Sequence, residues 1–360
     1  MHQLIRKHLQ PLAERHPALK TMATATAGFI RSIAIKPYVQ RHRPRERVLW
    51  ERYQNLPSVR CTVYREKSAG SRPTIVVGGF VPDATEAVEF QRPLLRQYGS
   101  IYFVNYPRFG FSQELFDAQL ADLIEELSLK GQRPLLMGIS FGAGLVVDFL
   151  RRATEELHGR LRGLLLVSPV LCTADLIRPA GQRSGGVRML ESNLRKIMAA
   201  DPANEVDLNR QLERARRCFQ ALFEAGAENR ALTTRHLSIR QRIFGVLEKT
   251  SNLGGYQRML ALRTFSELTL DQTVFAGPAL VMLAEDETNT LVPDSPTLQL
   301  LDSHQAFRSI FPEGKVCLVS SNDDADPVAH ASLIFHQHCY NPRLEVWLQK
   351  LHSQPLLAVV

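Results

Sequence analysis

The sequence lacks several features that would assign a chain of 360 residues to a common class. It has no run of 18 or more apolar residues, so a membrane-spanning helix is not expected. The nearest candidate, residues 21–35, is interrupted by Arg31, and no clear signal-peptide cleavage site follows it. Five cysteines are scattered without a C-x-x-C pair or metal-ligand spacing. They predict buried thiols in a reducing compartment, and we expect a cytoplasmic protein.

Motifs for phosphate, dinucleotide and zinc chemistry are also absent from the sequence. There is no G-x-x-x-x-G-K-[ST] loop, no glycine-rich fingerprint after a first strand and no H-E-x-x-H. The basic stretches are not interleaved with aromatic residues as in nucleic-acid-binding segments. We therefore expect no cofactor, no metal ion and no nucleic-acid partner. A composition that is 44% hydrophobic and 22% charged is typical of a globular protein.

Positive charge is concentrated at the N-terminus. Residues 1–60 contain twelve Lys or Arg and three Asp or Glu, an excess that accounts for the net charge of +8 of the whole chain. Such a segment, residues 1–59, is suited to peripheral contact with an anionic membrane. The alternative is a solvated helical extension packed loosely on the domain.

From about residue 60, short β-rich runs alternate with helical patterns. The apolar patterns predict strands at 60–66, 73–80, 100–107, 134–140 and 161–171, and helices at 83–99, 113–130 and 141–157. At the start of the first of these predicted helices, Asp83 and Glu86 have the spacing of a capping box. Regular alternation of this kind predicts a mostly parallel, doubly wound sheet with helices on both faces.

The alternation stops at about residue 172. Residues 172–275 show repeated helical periodicity without a convincing strand, and strand patterns resume at 277–286 and 314–321 before a final helix at 341–352. We therefore expect a core formed by residues 60–171 and 276–360. Residues 172–275 form an inserted helical cap in this interpretation, and residues 1–59 form the N-terminal extension.

One short motif suggests chemistry. The segment LLMGISFGAG, residues 135–144, contains G-x-S-x-G at a predicted junction between strand and helix. A nucleophilic serine at such a junction sits in a sharp turn that lifts its hydroxyl above the sheet, and the flanking Gly138 and Gly142 leave room for neighbouring backbone. Ser140 is therefore the candidate nucleophile.

This arrangement resembles the α/β-hydrolase superfamily over about residues 60–355. The resemblance implies a nucleophile after the fifth strand, an acid after the seventh, a histidine after the eighth and often a helical cap after the sixth. The segment NYPRFGFS, residues 105–112, is similar to the superfamily's D-x-P-G-x-G-x-S turn, although Asn105 and Arg108 replace the usual Asp and Gly. Neither departure affects a residue that takes part in the chemistry.

A serine hydroxyl needs a base to become a good nucleophile. His330 lies after the last predicted strand and before the terminal helix, which is where the resemblance places the general base. His336 and His338 are the rivals, but their spacing favours positions on a helix face. His304 precedes the last strand and is a weaker candidate.

The acid is open among neighbouring carboxylates that follow the strand at 277–286. We favour Asp286, because aspartate has the shorter side chain to hold an imidazole in one tautomer. A turn after the strand that is one residue longer would place Glu287 there instead. Asp175, after the sixth strand, is a minor alternative. A solvated turn without a catalytic acid is the plain alternative for the cluster of Glu285, Asp286 and Glu287.

Acyl transfer also requires donors for the developing oxyanion. The backbone N–H of Phe141, directly after the nucleophile, is one candidate. The resemblance supplies the second, the N–H of Phe80, which follows Gly78 and Gly79 where the superfamily has a His-Gly pair. A strand-end turn without this role is the alternative for the two glycines.

These residues predict a serine hydrolase that cleaves a carboxylic ester or thioester through an acyl-enzyme on Ser140. A small-molecule, acyl-carrier or lipid ester is the expected substrate. The arginine-rich cap is suited to steering an anionic substrate, unless its arginines simply face solvent. An acyltransferase that uses the same three residues is one alternative. A catalytically silent binding or scaffold protein of the same fold is another.

Overall fold

The computed structural model describes residues 33–52, 56–178, 189–201, 203–228, 230–265 and 268–353. Most of the basic N-terminal segment, residues 1–32, lies outside the described residues, as does part of the region predicted to form the cap. No helix within the described ranges is both long and apolar enough to span a membrane.

One eight-stranded sheet organises the chain. Its strands are β1 Ile35–Pro37, β2 Thr62–Ser71, β3 Thr74–Val77, β4 Gly99–Asn105, β5 Leu135–Ile139, β6 Gly163–Val167, β7 Ala279–Ala284 and β8 Gly314–Val319. Their order across the sheet is β1-β2-β4-β3-β5-β6-β7-β8. β1 and β4 both pair antiparallel with β2, and every other pair is parallel. The prediction of a mostly parallel sheet is confirmed.

Helices connect most of the strands. They are α1 Pro44–Trp50, α2 Leu56–Val59, α3 Ala84–Ala87, α4 Arg92–Leu95, α5 Gln113–Ser128, α6 Phe141–Arg152, α7 Glu155–Gly159, α8 Met189–Ala199, α9 Glu205–Ala227, α10 Thr234–Lys249, α11 Asn252–Leu260, α12 Pro296–Asp302, α13 His304–Ile310 and α14 Gln337–Ser353. α5 begins where its sequence predicts, because the side chain of Ser112 accepts a hydrogen bond from the Leu115 N–H.

The predicted helix over residues 83–99 is instead two single turns, α3 and α4. Pro93 has no N–H to donate to a carbonyl one turn earlier, so a continuous helix would lose a hydrogen bond there. The expected capping box at Asp83 is also wrong. The Asp83 side chain makes no cap hydrogen bond and instead pairs with Arg108 on the turn after β4.

The strands bury apolar side chains on both faces of the sheet. In β6, Leu164 and Leu166 belong to the apolar cluster that contains residues of α5 and α6, whereas Leu165 and Val167 belong to the cluster on the other face, with α14. All four side chains are fully buried. Each contributes about 1.5–3 kcal/mol relative to exposure. The near-continuous apolar sequence of this strand therefore reflects cover on both faces.

The described part of the segment between β6 and β7 contains helices α8 to α11 and no strand. Its arginines are mostly engaged in ion pairs. Arg178 and Arg195 share Glu191, and Arg235 reaches across to Glu89, near α4.

The sheet also includes residues that the sequence analysis placed in the N-terminal extension. β1 adds an antiparallel edge strand to β2, and α1 packs against α5 through Leu49 and Leu115. Arg45 pairs with Asp122 on α5. A three-residue strand carries too short a pattern to be recognised before its partner is known.

All five cysteines are free. Cys61, Cys172, Cys218 and Cys339 are buried, as predicted, and Cys317 is half-buried.

Candidate active site

Ser140 occupies the turn between β5 and α6. Its backbone has φ 52° and ψ −118°, a strained conformation for a residue with a side chain. The glycines two residues before and two residues after Ser140 leave room for the neighbouring backbone in this turn. A Cβ at Gly142 would lie 2.1 Å from the Gly78 carbonyl oxygen, and one at Gly138 would lie 2.7 Å from the Ala143 Cα. The strand, sharp turn and helix predicted from G-x-S-x-G are therefore present.

His330 lies against this serine. Its Nε2 is 2.9 Å from the Ser140 Oγ, although the two residues are far apart in the sequence. The imidazole follows β8 and is nearly buried, with 9% of its side chain exposed. One ring nitrogen is thus within reach of the serine proton, which leaves Nδ1 for an orienting group.

The carboxylate beside Nδ1 is that of Glu287, not that of Asp286. The Glu287 Oε2 lies 2.5 Å from the His330 Nδ1, and 5% of the Glu287 side chain is exposed. The partly exposed Asp286 carboxylate accepts hydrogen bonds from the side chains of Thr288 and Asn289. Asp286, which the sequence analysis favoured, therefore points away from the imidazole.

The local fold explains this register. The Asp286 N–H donates to the Val328 carbonyl, and a single bridge between Asp286 and Ala329 joins the end of β7 to the loop that carries His330. A short 3₁₀ turn, Glu287–Asn289, follows at once. The Glu287 side chain folds back, so that its Oε1 accepts from the Ala284 N–H at 2.7 Å. Its longer arm then spans the remaining gap to His330.

Glu287 is held in its charged form. Burial by itself would raise the pKa of this carboxyl, but the neighbouring His330 and hydrogen bonds from the Ser168 hydroxyl and the Ala284 N–H outweigh burial and lower the pKa below its ordinary value. A buried carboxylate next to an imidazole fixes which ring nitrogen carries the proton and stabilises an imidazolium.

Ser168 was missed by the sequence analysis. It lies in the turn directly after β6 with φ 45° and is fully buried. Its Oγ accepts the N–H of Ala331, the residue after His330, at 2.9 Å. The available signal was its position: a polar residue that ends an otherwise apolar parallel strand lies at the same sheet edge as Ser140.

The turn after β3 lies beside the nucleophile. A Cβ on Gly79 would be 3.5 Å from the Ser140 Cβ. The ring of Phe80 stacks on that of Phe141 with centroids 4.1 Å apart. The Tyr106 hydroxyl donates to the Gly78 carbonyl oxygen at 2.6 Å. Both residues predicted to supply oxyanion donors are therefore adjacent to Ser140, and the Phe141 N–H heads α6 and is not used inside that helix.

Comparison with known proteins gives a consistent picture of the fold. No family model and no curated protein matches the chain. Among solved structures, an esterase from Exiguobacterium antarcticum matches with a TM-score of 0.56 at 14% identity, over 80% of this chain and 96% of that one. A bromoperoxidase from Bacillus anthracis matches with a TM-score of 0.51 at 20% identity, over 80% and 96%. A bacterial membrane phospholipase A matches with a TM-score of 0.56 at 14% identity, over 98% and 100%.

The protein has the α/β-hydrolase fold. Its described strands follow the order implied by the resemblance in the sequence: Ser140 follows β5, the helical segment follows β6, Glu287 follows β7 and His330 follows β8.

Asp175, the minor alternative for the acid, is a structural residue of this α/β-hydrolase fold. It is fully buried after β6, and its carboxylate accepts hydrogen bonds from the N–H groups of Leu171, Cys172 and Thr297. The hydroxyls of Ser295 and Thr297 also donate to it. With these donors, Asp175 fastens the turn after β6 to the start of α12.

The rival histidines are engaged elsewhere. His336 is buried, with its Nδ1 2.8 Å from the Ser332 Oγ and its Nε2 near Arg230 and Asp326. His338 lies at the start of α14, and its ring packs near that of His336. His304 is exposed at the first position of α13. Of these histidines, only His330 is hydrogen-bonded to Ser140 in the described structure.

A small cavity of about 50 Å³ lies between the turn after β3 and the helices that follow β6. Phe80 lines it from the core, and Leu212, Phe219 and Met259 line it from α9 and α11. Within the ranges that the structure covers, no group of three or more His, Cys, Asp or Glu is placed to hold a metal ion.

Proposed function

We propose that this protein is a serine hydrolase that cleaves carboxylic esters through an acyl-enzyme. The observation that supports the proposal most directly is the continuous chain of hydrogen bonds from the Ser140 Oγ through His330 to Glu287, with distances of 2.9 and 2.5 Å. A nucleophile, a base in reach of its proton and a buried anion that orients the base form the minimal set for this chemistry.

In the acylation half of the reaction, the Ser140 Oγ attacks the carbonyl carbon while the His330 Nε2 takes the hydroxyl proton. The N–H groups of Phe80 and Phe141 donate to the resulting oxyanion. When the tetrahedral intermediate collapses, the bond to the leaving oxygen breaks and His330 returns the proton to the departing alcohol. An ester of Ser140 remains.

Water then completes the cycle. It attacks the acyl-enzyme as His330 takes one of its protons, and the bond between the acyl carbon and the Ser140 Oγ breaks as that proton returns to the serine. Glu287 stays ionised throughout, because its role is to hold the imidazole orientation and to stabilise the imidazolium.

The lining of the cavity near the site also suggests a class of substrate. The small cavity beside the Phe80 turn is lined mainly by apolar side chains, together with Arg216 and Arg258, and the apolar part of this lining suits an acyl chain. Thioester cleavage uses the same residues with a thiol as the leaving group. The contact of residues 1–59 with an anionic membrane and the cytoplasmic location both stay predictions.

The experiment that tests the proposal is hydrolysis of p-nitrophenyl esters of increasing acyl length by the wild type and by Ser140→Ala. Ser68→Ala, on β2 near the start of β4 and so at the opposite edge of the sheet from Ser140, serves as a matched serine control. We expect release of p-nitrophenol by the wild type and the control, and none above background by Ser140→Ala. Equal rates in the wild type and Ser140→Ala would refute the proposal.

Three further arms of this experiment separate the alternatives. Acyl-coenzyme A with a thiol reagent reports thioester cleavage, and phosphatidylcholine vesicles report release of fatty acid from a lipid ester. Added alcohol acceptors reveal acyl transfer if mass spectrometry detects the new ester. A folded wild type that is inactive in every arm would favour the binding or scaffold alternative.

A further inference from the structure

Arg258 is a buried cation that the proposed chemistry does not use. It belongs to α11, in the helical segment between β6 and β7, and is 4% exposed. Its Nη1 donates to the Phe80 carbonyl at 3.2 Å and its Nη2 to the Pro107 carbonyl at 3.0 Å. The guanidinium lies 4.8 Å from the centroid of the Tyr106 ring. Since burial of a charge is costly, two carbonyls and an aromatic face are an unusual set of partners.

These partners belong to two turns at the carboxyl edge of the sheet. Phe80 lies in the turn after β3, directly beside Ser140, and Pro107 lies in the turn after β4. Tyr106 itself is tied to the turn after β3, because its hydroxyl donates to the Gly78 carbonyl. Arg258 therefore holds the Phe80 turn both directly and through Tyr106.

Two further hydrogen bonds, made by Gln257 on α11 and by its N-cap Ser251, join this helix to the second turn. The Ser251 N–H donates to the Arg108 carbonyl at 2.8 Å, and the Gln257 Oε1 accepts from the Phe111 N–H at 2.8 Å. These bonds anchor α11 on the core. From that anchor, the Arg258 side chain extends to the carbonyl of Phe80, whose own N–H is a proposed oxyanion donor.

We propose that Arg258 is a positioning residue that holds the Phe80 turn in the geometry that the oxyanion requires. The inference rests on the proposed function. A donor that is moved by about an ångström loses its alignment with the tetrahedral oxyanion, whereas binding of the planar substrate changes little, so the rate constant of the chemical step suffers most. The helical segment that covers the site thus contributes to the chemistry through one side chain.

The chain offers a matched control in Arg162. It is also buried, at 7% exposure, and its Nη2 donates to the Leu351 carbonyl at 3.0 Å. It lies just before β6, at the opposite edge of the sheet from Ser140. Loss of either guanidinium should lower stability, but only loss of Arg258 should alter the site.

The test compares Arg258→Met, Arg258→Lys and Arg162→Met by thermal unfolding and by kcat and KM for the best p-nitrophenyl ester. We expect Arg258→Met to lower kcat by about 10- to 100-fold with KM changed less than about threefold, because the lost alignment acts in the transition state. Arg258→Lys should restore part of kcat, since an ammonium can still donate to one carbonyl. Arg162→Met should lose thermal stability and keep kcat.

A tetrahedral inhibitor gives a second readout that general destabilisation does not move. Binding of a trifluoromethyl ketone should weaken in Arg258→Met by about the same factor as kcat/KM. Unchanged kcat in folded Arg258→Met or Arg258→Lys, or an equal loss of kcat in Arg162→Met, would overturn the inference and leave the proposed function intact. A wild type without Ser140-dependent hydrolysis would refute the proposed function, and the inference would fail with it.

Discussion

Two buried carboxylates lie at the same edge of the sheet and serve different purposes. Asp175 follows β6, and Glu287 follows β7. All the partners of the Asp175 carboxylate in the described structure are neutral N–H and O–H groups of its own and a neighbouring loop. Glu287 uses one oxygen for the backbone and presents the other to His330.

This difference shows what separates a structural acid from a candidate catalytic one. Burial is similar, since Asp175 is 0% and Glu287 4% exposed. The distinction lies in the partners. A carboxylate whose two oxygens accept only from neutral N–H and O–H groups holds loops together. A carboxylate with one oxygen hydrogen-bonded to an imidazole nitrogen can orient that ring. Four substitutions or conditions test the comparison.

The largest effect is expected for Glu287→Gln. The amide keeps the shape of the side chain but removes the negative charge, so the imidazole loses both its preferred tautomer and the stabilisation of its cation. We expect kcat for ester hydrolysis to fall by about 10³- to 10⁴-fold, as amide replacement of the acid does in serine proteases. Steady-state kinetics with the p-nitrophenyl ester series measures the loss. A folded variant with less than a tenfold loss would show that Glu287 does not orient His330.

The second effect concerns stability and the other carboxylate. In Asp175→Asn, the amide nitrogen must face a backbone N–H, because both oxygens of Asp175 now accept from backbone donors. An unsatisfied buried donor of this kind costs about 2–4 kcal/mol in the free energy of unfolding. Denaturant titration measures this cost. We expect kcat of the folded variant to stay within about threefold of the wild type, so a loss like that of Glu287→Gln would remove the distinction drawn between the two acids.

The third effect is a dependence of stability on pH. The pKa of Glu287 is lowered in the folded protein, so its ionised form favours folding at pH values above the ordinary range for glutamate, about 4.3. This contribution is lost as pH falls below that range through the folded pKa. The difference in unfolding free energy between the wild type and Glu287→Gln should therefore shrink on acidification. A difference that is constant from pH 6 to pH 3 would contradict the lowered pKa.

The smallest effect is expected for Asp286→Asn. The Asp286 carboxylate is partly exposed and contacts only local polar side chains, so the amide should change kcat by less than about twofold. The variant is a neighbouring control for Glu287→Gln in the same kinetic assay. If both variants lose activity equally, neither carboxylate has the role assigned from its geometry.

The turns that carry Ser140, Glu287 and His330 show how much of the site the sequence alone predicts. The contact between Ser140 and His330 was predictable, because G-x-S-x-G marks a strand-to-helix turn and the resemblance to the α/β-hydrolase superfamily places a histidine after the last strand. The choice between Asp286 and Glu287 was not, because it depends on the bridge from Asp286 to Ala329, a contact between distant parts of the chain. One residue of register decides which of two adjacent carboxylates turns inward.

Other differences have the same physical origin. β1 acquires its role only by pairing with β2, a strand elsewhere in the sequence, so no local pattern marks its three residues. The break between α3 and α4, just before Pro93, was by contrast predictable from the sequence, but the stronger helical periodicity around the proline masked this signal.

The central claim is that Ser140 is an activated nucleophile. Labelling with a fluorophosphonate probe tests it most directly, because the probe forms a covalent bond only with a serine whose hydroxyl proton a base can remove. We predict one probe adduct on the wild type, located at Ser140 by peptide mass spectrometry, none on Ser140→Ala and slow labelling of Glu287→Gln. A folded wild type that stays unlabelled, or a Ser140→Ala variant that is labelled at the wild-type rate, would contradict the claim.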